Sequence, residues 1–291
     1  MILKRISNSL EAWRERPGAA TRGLVFIHLP KCGGNSIKNG IVSTLGPYNE
    51  RRGAARAKKQ ALARMGRSAP PPMGGPDDFA YLEQLLAFRL AKRRKFVTGH
   101  YPVNAAFLDT HCARYDFVTV LREPMSRWIS NYTYNWSVHS YDDRKHHSVL
   151  QNNPTYQQTD DLEARVDAVI GSDMSLLMGS LMTSFLTGQY PRDPDDALRL
   201  SKIAQQNLHR FAAVGLLDRL DGFAAALSDR LGQDLRFGID NSTVSRIPDG
   251  MQAAHDAVKQ HLGQPALRAK IAERCAADTA LYDYAREHFG A

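Results

Sequence analysis

Three features of the sequence predict an α/β fold: a central parallel sheet flanked by helices, with a mainly helical C-terminal half. Short apolar runs bounded by Gly or Pro, the pattern of buried strands, alternate with helical stretches in the N-terminal half. The first such run passes through two glycines directly into a helical stretch, the opening of a strand–turn–helix unit. From about residue 160 onward helical periodicity dominates.

Residues 1–22 read as a polar lead-in, with one short helix around Ser9–Arg16, and residues 23–291 as one domain. Gly23–Leu29 is the first strand and Ile37–Leu45 the first helix, closed by Gly46-Pro47. Residues 46–78 are loop-like or partly helical, and Ala69–Pro76 is a breaker cluster of Pro and Gly. Asp77 or Asp78 caps a helix from Phe79 to about Lys92, with Tyr81, Leu82, Leu85, Leu86, Phe88 and Leu90 as its apolar face. Lys95–Gly99 and Tyr115–Leu121 are strands by their β-branched and aromatic content. Pro124 opens a helix that continues over Met125–Trp136. Helices are then expected at Asp161–Ile170, Ser175–Leu186, Asp195–Leu208 and Leu217–Leu231, and a further strand at Phe211–Gly215. Asp240–Pro248 is a polar loop, and Pro265–Phe289 is one long closing helix.

The net charge of +8 over 291 residues is concentrated in one place. Residues 51–95 hold 12 Lys and Arg against 3 Asp and Glu, so the rest of the chain is nearly balanced. That pattern speaks for one polybasic, insertion-like element at about 46–95 rather than for a nucleic-acid-binding domain. Its position directs it to anionic substrates near the crevice, with a solvated arm as the alternative. Hydrophobic residues at 43 % exclude wholesale disorder. No apolar run approaches the roughly 20 residues that span a bilayer. The first 20 residues carry no apolar stretch of a secretory signal, and Cys32, Cys112 and Cys275 are too scattered for a disulfide framework. The expectation is a cytoplasmic protein.

The densest chemistry lies in Phe26-Ile-His-Leu-Pro-Lys-Cys-Gly-Gly-Asn-Ser36. Gly33 and Gly34 permit a tight turn that aims backbone N–H groups at one point. The following helix adds its positive end, Lys31 a point charge and Ser36 a hydroxyl, which together make a cradle for phosphate or sulfate. The order differs from a Walker A loop, because here the lysine precedes both glycines. A plain strand-to-helix turn with an exposed lysine is the alternative. Further on, Leu121-Arg122-Glu-Pro124 ends a strand and starts a helix, and Ser130 lies two turns along it. Arg122 and Ser130 can therefore offer a guanidinium and a hydroxyl to one anion. The competing roles are a salt bridge from Arg122 to Glu123 or Asp116, and an ordinary surface serine.

These two motifs resemble the PAPS-dependent sulfotransferases, in particular the carbohydrate branch with the heparan 2-O- and chondroitin sulfotransferases. Pro30, Lys31, Gly33, Gly34 and Ser36 match that family's 5′-phosphosulfate loop, with Asn35 where threonine is usual. Arg122, Pro124 and Ser130 match its 3′-phosphate motif. The resemblance implies a P-loop-like sheet and PAPS as sulfonate donor, held by Pro30, Lys31, Cys32, Gly33, Gly34, Asn35, Ser36, Arg122 and Ser130. It also implies a hydroxyl-bearing acceptor, an oligo- or polysaccharide, and no metal. Thr98-Gly-His100 is similar to the segment carrying that branch's catalytic histidine, so His100 is the expected base and Lys31 the stabiliser of the sulfonate and the leaving phosphate. By the same resemblance Thr243, Ser245 and Arg246 fall in a loop over the nucleotide, and Asp278-x-x-Leu-Tyr282 is architectural. His28 is expected to pack beneath the loop. Cys32 lies where a helix N-terminus can lower a thiol's pKa, but reads as a small residue in a tight loop. Trp128, Tyr132, Tyr134 and Trp136 read as core aromatics, with a sugar-stacking or adenine-side role for one or two of them as the alternative. His139, His146 and His147 near Asp142 and Asp143 read as a solvated loop rather than a metal site. Two rival functions stay open: a nucleotide kinase on a related P-loop fold, and a polyanion-binding protein that uses residues 51–95.

Overall fold

The computed structural model describes residues 22–45, 54–71, 77–139, 162–238 and 252–290. In chain order β1 (Gly23–Ile27) leads to α1 (Gly34–Leu45), α2 (Ala54–Arg64) and α3 (Asp78–Leu90). Then come β2 (Phe96–Gly99), α4 (Ala105–His111), β3 (Tyr115–Leu121) and α5 (Pro124–His139). The remainder is α6 (Leu162–Gly171), α7 (Asp173–Gly179), α8 (Leu181–Thr187), α9 (Pro194–Leu208), β4 (Ala213–Leu216), α10 (Leu220–Leu231), α11 (Gln252–Leu262), α12 (Pro265–Arg274) and α13 (Ala276–Phe289).

The four strands form one parallel sheet in the order β2-β1-β3-β4. All seven residues of β3 are buried, as a strand covered on both faces requires. Alternate residues feed two cores. Leu24, Phe26, Val118 and Val120 meet Ile37 and Ile41 of α1 and Phe223, Leu227 and Leu231 of α10. Val25, Ile27, Phe117 and Leu121 meet Leu86 of α3, Leu186 of α8, Leu208 of α9 and Leu281 of α13. A third cluster, built on Trp128 and Tyr132 of α5, joins α6, α11 and α12 through Val166, Val258, Leu262 and Ile271.

The basic segment departs from a solvated arm over its described part. Ala57 and Ala61 are buried in the same core as β1, so α2 lies against the body with Arg56, Lys58, Lys59 and Arg64 exposed on its outer side. Asp77 caps α3 with no side-chain hydrogen bond and pairs with Arg67 at 2.8 Å instead. Asp78 is buried and accepts the Tyr190 hydroxyl at 3.1 Å. Neither aspartate is the expected side-chain cap. α4 and α11 are helices that the periodicity did not announce, β4 is shifted to Ala213–Leu216, and α10 starts at Leu220.

Two expected long helices are each broken in two, at Ser180 and at Cys275, and the breaks meet. Asp278, fully buried in the first turn of α13, accepts the N–H of Met182 at 3.0 Å and of Thr183 at 2.8 Å. Those are first-turn donors of α8, so a carboxylate distant in sequence caps that helix and favours a new start after Ser180. At Cys275 the backbone tightens, its N–H shared between the Ile271 and Ala272 carbonyls at 2.9 and 3.1 Å. The expected helix around Ser9–Arg16 lies outside the described residues.

Candidate active site

In this parallel sheet the connection after β1 runs to β2 on one side and the connection after β3 runs to β4 on the other, in opposite directions. The crevice that results lies at the carboxyl ends of β1 and β3, where ligands of open α/β sheets bind. The expected site residues lie on the loops and helices that leave these two strand ends and, for His100, just past the end of β2.

After β1 the chain turns through two residues of positive φ, Lys31 at 66° and Gly33 at 72°. Leu29 and Cys32 point into the core and anchor the turn. The Cys32 N–H donates to the Leu29 carbonyl at 3.3 Å, and the Ile37 N–H to the Gly33 carbonyl at 3.4 Å. Gly33 is required twice over: its φ is left-handed, and a Cβ there would lie 2.3 Å from Leu217 Cδ1. At Gly34 a Cβ would lie 1.9 Å from the His28 ring, so the first residue of α1 rests directly on that imidazole. Asn35 and Ser36 follow, half-buried, in the first turn of α1. Pro30 is half-buried at the rim.

Cys32 is the loop residue whose side chain turns away. Its Sγ faces Met182 Sδ at 3.9 Å, and burial pushes the thiol up to about 12. The helix N-terminus therefore does not activate it, and its side chain contributes to the loop by packing.

Arg122 leaves β3 and crosses to the loop, where its Nη1 donates to the Lys31 carbonyl at 3.0 Å. Among the described residues Arg122 forms neither of the two competing salt bridges. Asp116 takes Arg230 through two 2.6 Å bonds and Arg22 at 3.0 Å. Glu123 accepts the N–H of Met125 at 2.9 Å and of Ser126 at 2.8 Å, capping α5. Burial, together with the like charge of Arg127, lowers the Arg122 pKa below the ordinary arginine value. Ser130 is half-buried two turns along α5, and among the described residues no hydrogen bond joins it to Arg122.

His100 stands at the end of β2, beside β1. The register pairs Ile27 with Gly99, the His28 N–H donates to the Gly99 carbonyl at 3.1 Å, and His100 Nδ1 lies 2.6 Å from the His28 carbonyl. A carbonyl can only accept, so Nδ1 carries the hydrogen and Nε2 is the ring's basic nitrogen. The His100 ring is exposed and 4.4 Å from that of His28. His28 packs beneath the loop as expected, stacked on Phe26, and its pKa falls to about 3 through burial and then the charges of His100, Lys38 and Lys31. It is neutral at any physiological pH.

Two features of the site escaped the sequence reading. The Lys31 ammonium lies 3.9 Å from the centroid of the Tyr134 ring, a cation–π contact. Arg127, fully buried, places Nε 3.6 Å from Asp278 and donates from Nη2 to the Met178 carbonyl, which pins α5 to α13 and α7. The spacing of Tyr134 four residues after Ser130 carried a signal, because i and i+4 share a helix face. Nothing local announced the Arg127–Asp278 pair. Trp128 and Tyr132 are core residues stacked on each other at 5.6 Å. Thr243, Ser245, Arg246, Asp142, Asp143, His146 and His147 lie outside the described residues, as do the side chains of Trp136 and His139. Among the described residues no cluster of three metal-ligating side chains occurs, and no helix is long and apolar enough to cross a membrane.

The site thus gathers a lysine, an arginine and a histidine past the carboxyl ends of three neighbouring strands. The carboxylate adjacent to Arg122 in the chain is occupied as a helix cap. Such a set suits a substrate with anionic groups and a hydroxyl to be deprotonated. A family model described as the sulfotransferase family matches residues 19–285. No curated protein matches the chain.

Proposed function

The chain belongs to the sulfotransferase family, and on that premise we propose that it moves a sulfonate from PAPS to a hydroxyl of a carbohydrate acceptor. The observation that carries this reading is the 3.0 Å bond from Arg122 to the Lys31 carbonyl, which joins two anion-binding motifs 91 residues apart across one crevice. The carbohydrate branch is supported by the motif resemblance.

In this reading Pro30, Gly33, Gly34, Asn35 and Ser36 shape the cradle for the donor's 5′ end, and Arg122 with Ser130 takes its 3′-phosphate. His100 Nε2 accepts the proton of the acceptor hydroxyl as that oxygen forms its bond to sulfur. The bond from sulfur to the phosphate oxygen breaks in the same displacement. Lys31 neutralises the charge that develops on the sulfonate and on the departing phosphate. The His28 carbonyl keeps Nδ1 protonated throughout, so the ring ends as an imidazolium without rotating.

A thermal-shift comparison tests the donor. PAP without magnesium should raise the melting temperature, by an amount equivalent to about 2.7 kcal/mol at a hundredfold excess over Kd. ATP with magnesium should have little effect. Arg122→Ala should weaken PAP about 10- to 100-fold, the worth of a hydrogen-bonded charge. Stabilisation by ATP-magnesium and not by PAP would favour the kinase reading.

A further inference from the structure

Lys31 is held at both ends. Its backbone sits at φ 66°, a left-handed conformation costly for a residue with a Cβ, and Arg122 fixes its carbonyl. Its side chain is a flexible four-carbon stem with many rotamers, and its ammonium rests 3.9 Å from the Tyr134 ring centroid. The ring itself is on a rigid support. Glu123 caps the start of α5, and the buried Arg127–Asp278 pair pins its first two turns. Tyr134 lies one turn beyond Ser130 on the same helix face. The helix that follows Arg122 thus also presents the surface on which the loop lysine lies.

We propose that Tyr134 is a positioning residue for Lys31, holding the ammonium at the mouth of the phosphate loop so that an anion entering the loop meets an already ordered charge. The proposal rests on the donor-binding reading above and adds a residue to it. A cation–π contact holds an ammonium by its charge and takes up no hydrogen-bond acceptor, and an ammonium carries three N–H donors. The benefit is entropic, because ordering a lysine side chain at the moment of binding weakens affinity. It should therefore be confined to ligand groups that Lys31 meets.

Two ring variants separate this role from bulk packing. Tyr134→Phe keeps the ring face, whereas Tyr134→Leu removes it with similar apolar volume. In ligand-free protein with carbon-13-labelled lysine, the Lys31 ε-methylene resonance should show an upfield ring-current shift in wild type and Tyr134→Phe, and lose it in Tyr134→Leu. By calorimetry Tyr134→Leu should weaken PAP about 5- to 30-fold, while Tyr134→Phe stays within about twofold. Adenosine 3′-monophosphate, which lacks the 5′-phosphate that Lys31 would meet, should bind Tyr134→Leu and wild type within about twofold. In a Lys31→Ala background, Tyr134→Leu should change PAP affinity by less than about twofold. The proposal is overturned if wild type shows no ring-current shift, or if Tyr134→Leu weakens both nucleotides equally or weakens PAP as much without Lys31. A wild-type protein with the shift but no affinity for PAP would sustain the Tyr134–Lys31 contact and sink the donor reading instead.

Discussion

His28 sits between Gly34 and Phe26, and its neutrality has a measurable consequence. The unfolded chain takes up a proton at this residue near the ordinary value of 6.5, while the folded chain refuses it down to about 3. In that window the unfolded state binds more protons, so stability is full above about pH 6.5 and falls as the pH drops toward 3. The slope from this one group is at most about 1.4 kcal/mol per pH unit. Urea titrations between pH 7 and pH 4 should show a shallower acid loss in His28→Phe than in wild type. Identical slopes would mean that His28 titrates normally. At this scale the sequence was informative where the chemistry is local. Lys31-Cys-Gly-Gly and Arg122-Glu-Pro could be read from residue type and order alone. The Arg122 bond to the Lys31 carbonyl and the Tyr134 ring beneath the Lys31 ammonium could not, because both depend on which strands become neighbours.

Among the elements, α5 carries Ser130 and Tyr134 and is held in place by a buried ion pair. Arg127 and Asp278 are both fully buried, and burial raises the Asp278 carboxyl pKa against the pull of Arg127 and two backbone N–H groups. Removing one partner strands the other, so Asp278→Ala should cost about 3–5 kcal/mol, measured by urea denaturation. Replacing both with apolar residues should recover much of that loss, since a well-packed apolar pair often matches a buried ion pair. A single-variant cost below about 1 kcal/mol, the range of exposed pairs, would show that the pair does not hold α5. The same carboxylate explains why the first of the two continuous helical patterns is broken in two. The periodicity through Ser175–Leu186 is unbroken, yet Asp278 supplies a cap for a fresh helix start at Leu181. A pattern of apolar spacing reports which face is buried and is silent on a cap that arrives from a distant helix. The shift of α2 from loop-like chain to packed helix has a similar cause: its buried face consists of Ala57 and Ala61, too small to stand out among the charges around them.

Over the whole molecule, the sheet order β2-β1-β3-β4 turns scattered motifs into a site, because it places the carboxyl ends of β1, β2 and β3 side by side. Alternating strands and helices in the sequence implied a parallel sheet, but its order follows from crossovers that no single segment encodes. The matched family accounts for sulfonate transfer in general, and His100 at the end of β2 is the residue on which the proposed chemistry turns. Transfer of radiolabelled sulfonate from PAPS to a panel of hydroxyl-bearing oligosaccharides, with PAP affinity measured on the same preparations, tests that most directly. The account predicts that wild type labels an oligosaccharide, and that His100→Ala loses about 10²- to 10⁴-fold in transfer while binding PAP within about twofold of wild type. Near-wild-type transfer by His100→Ala with intact PAP binding would contradict it.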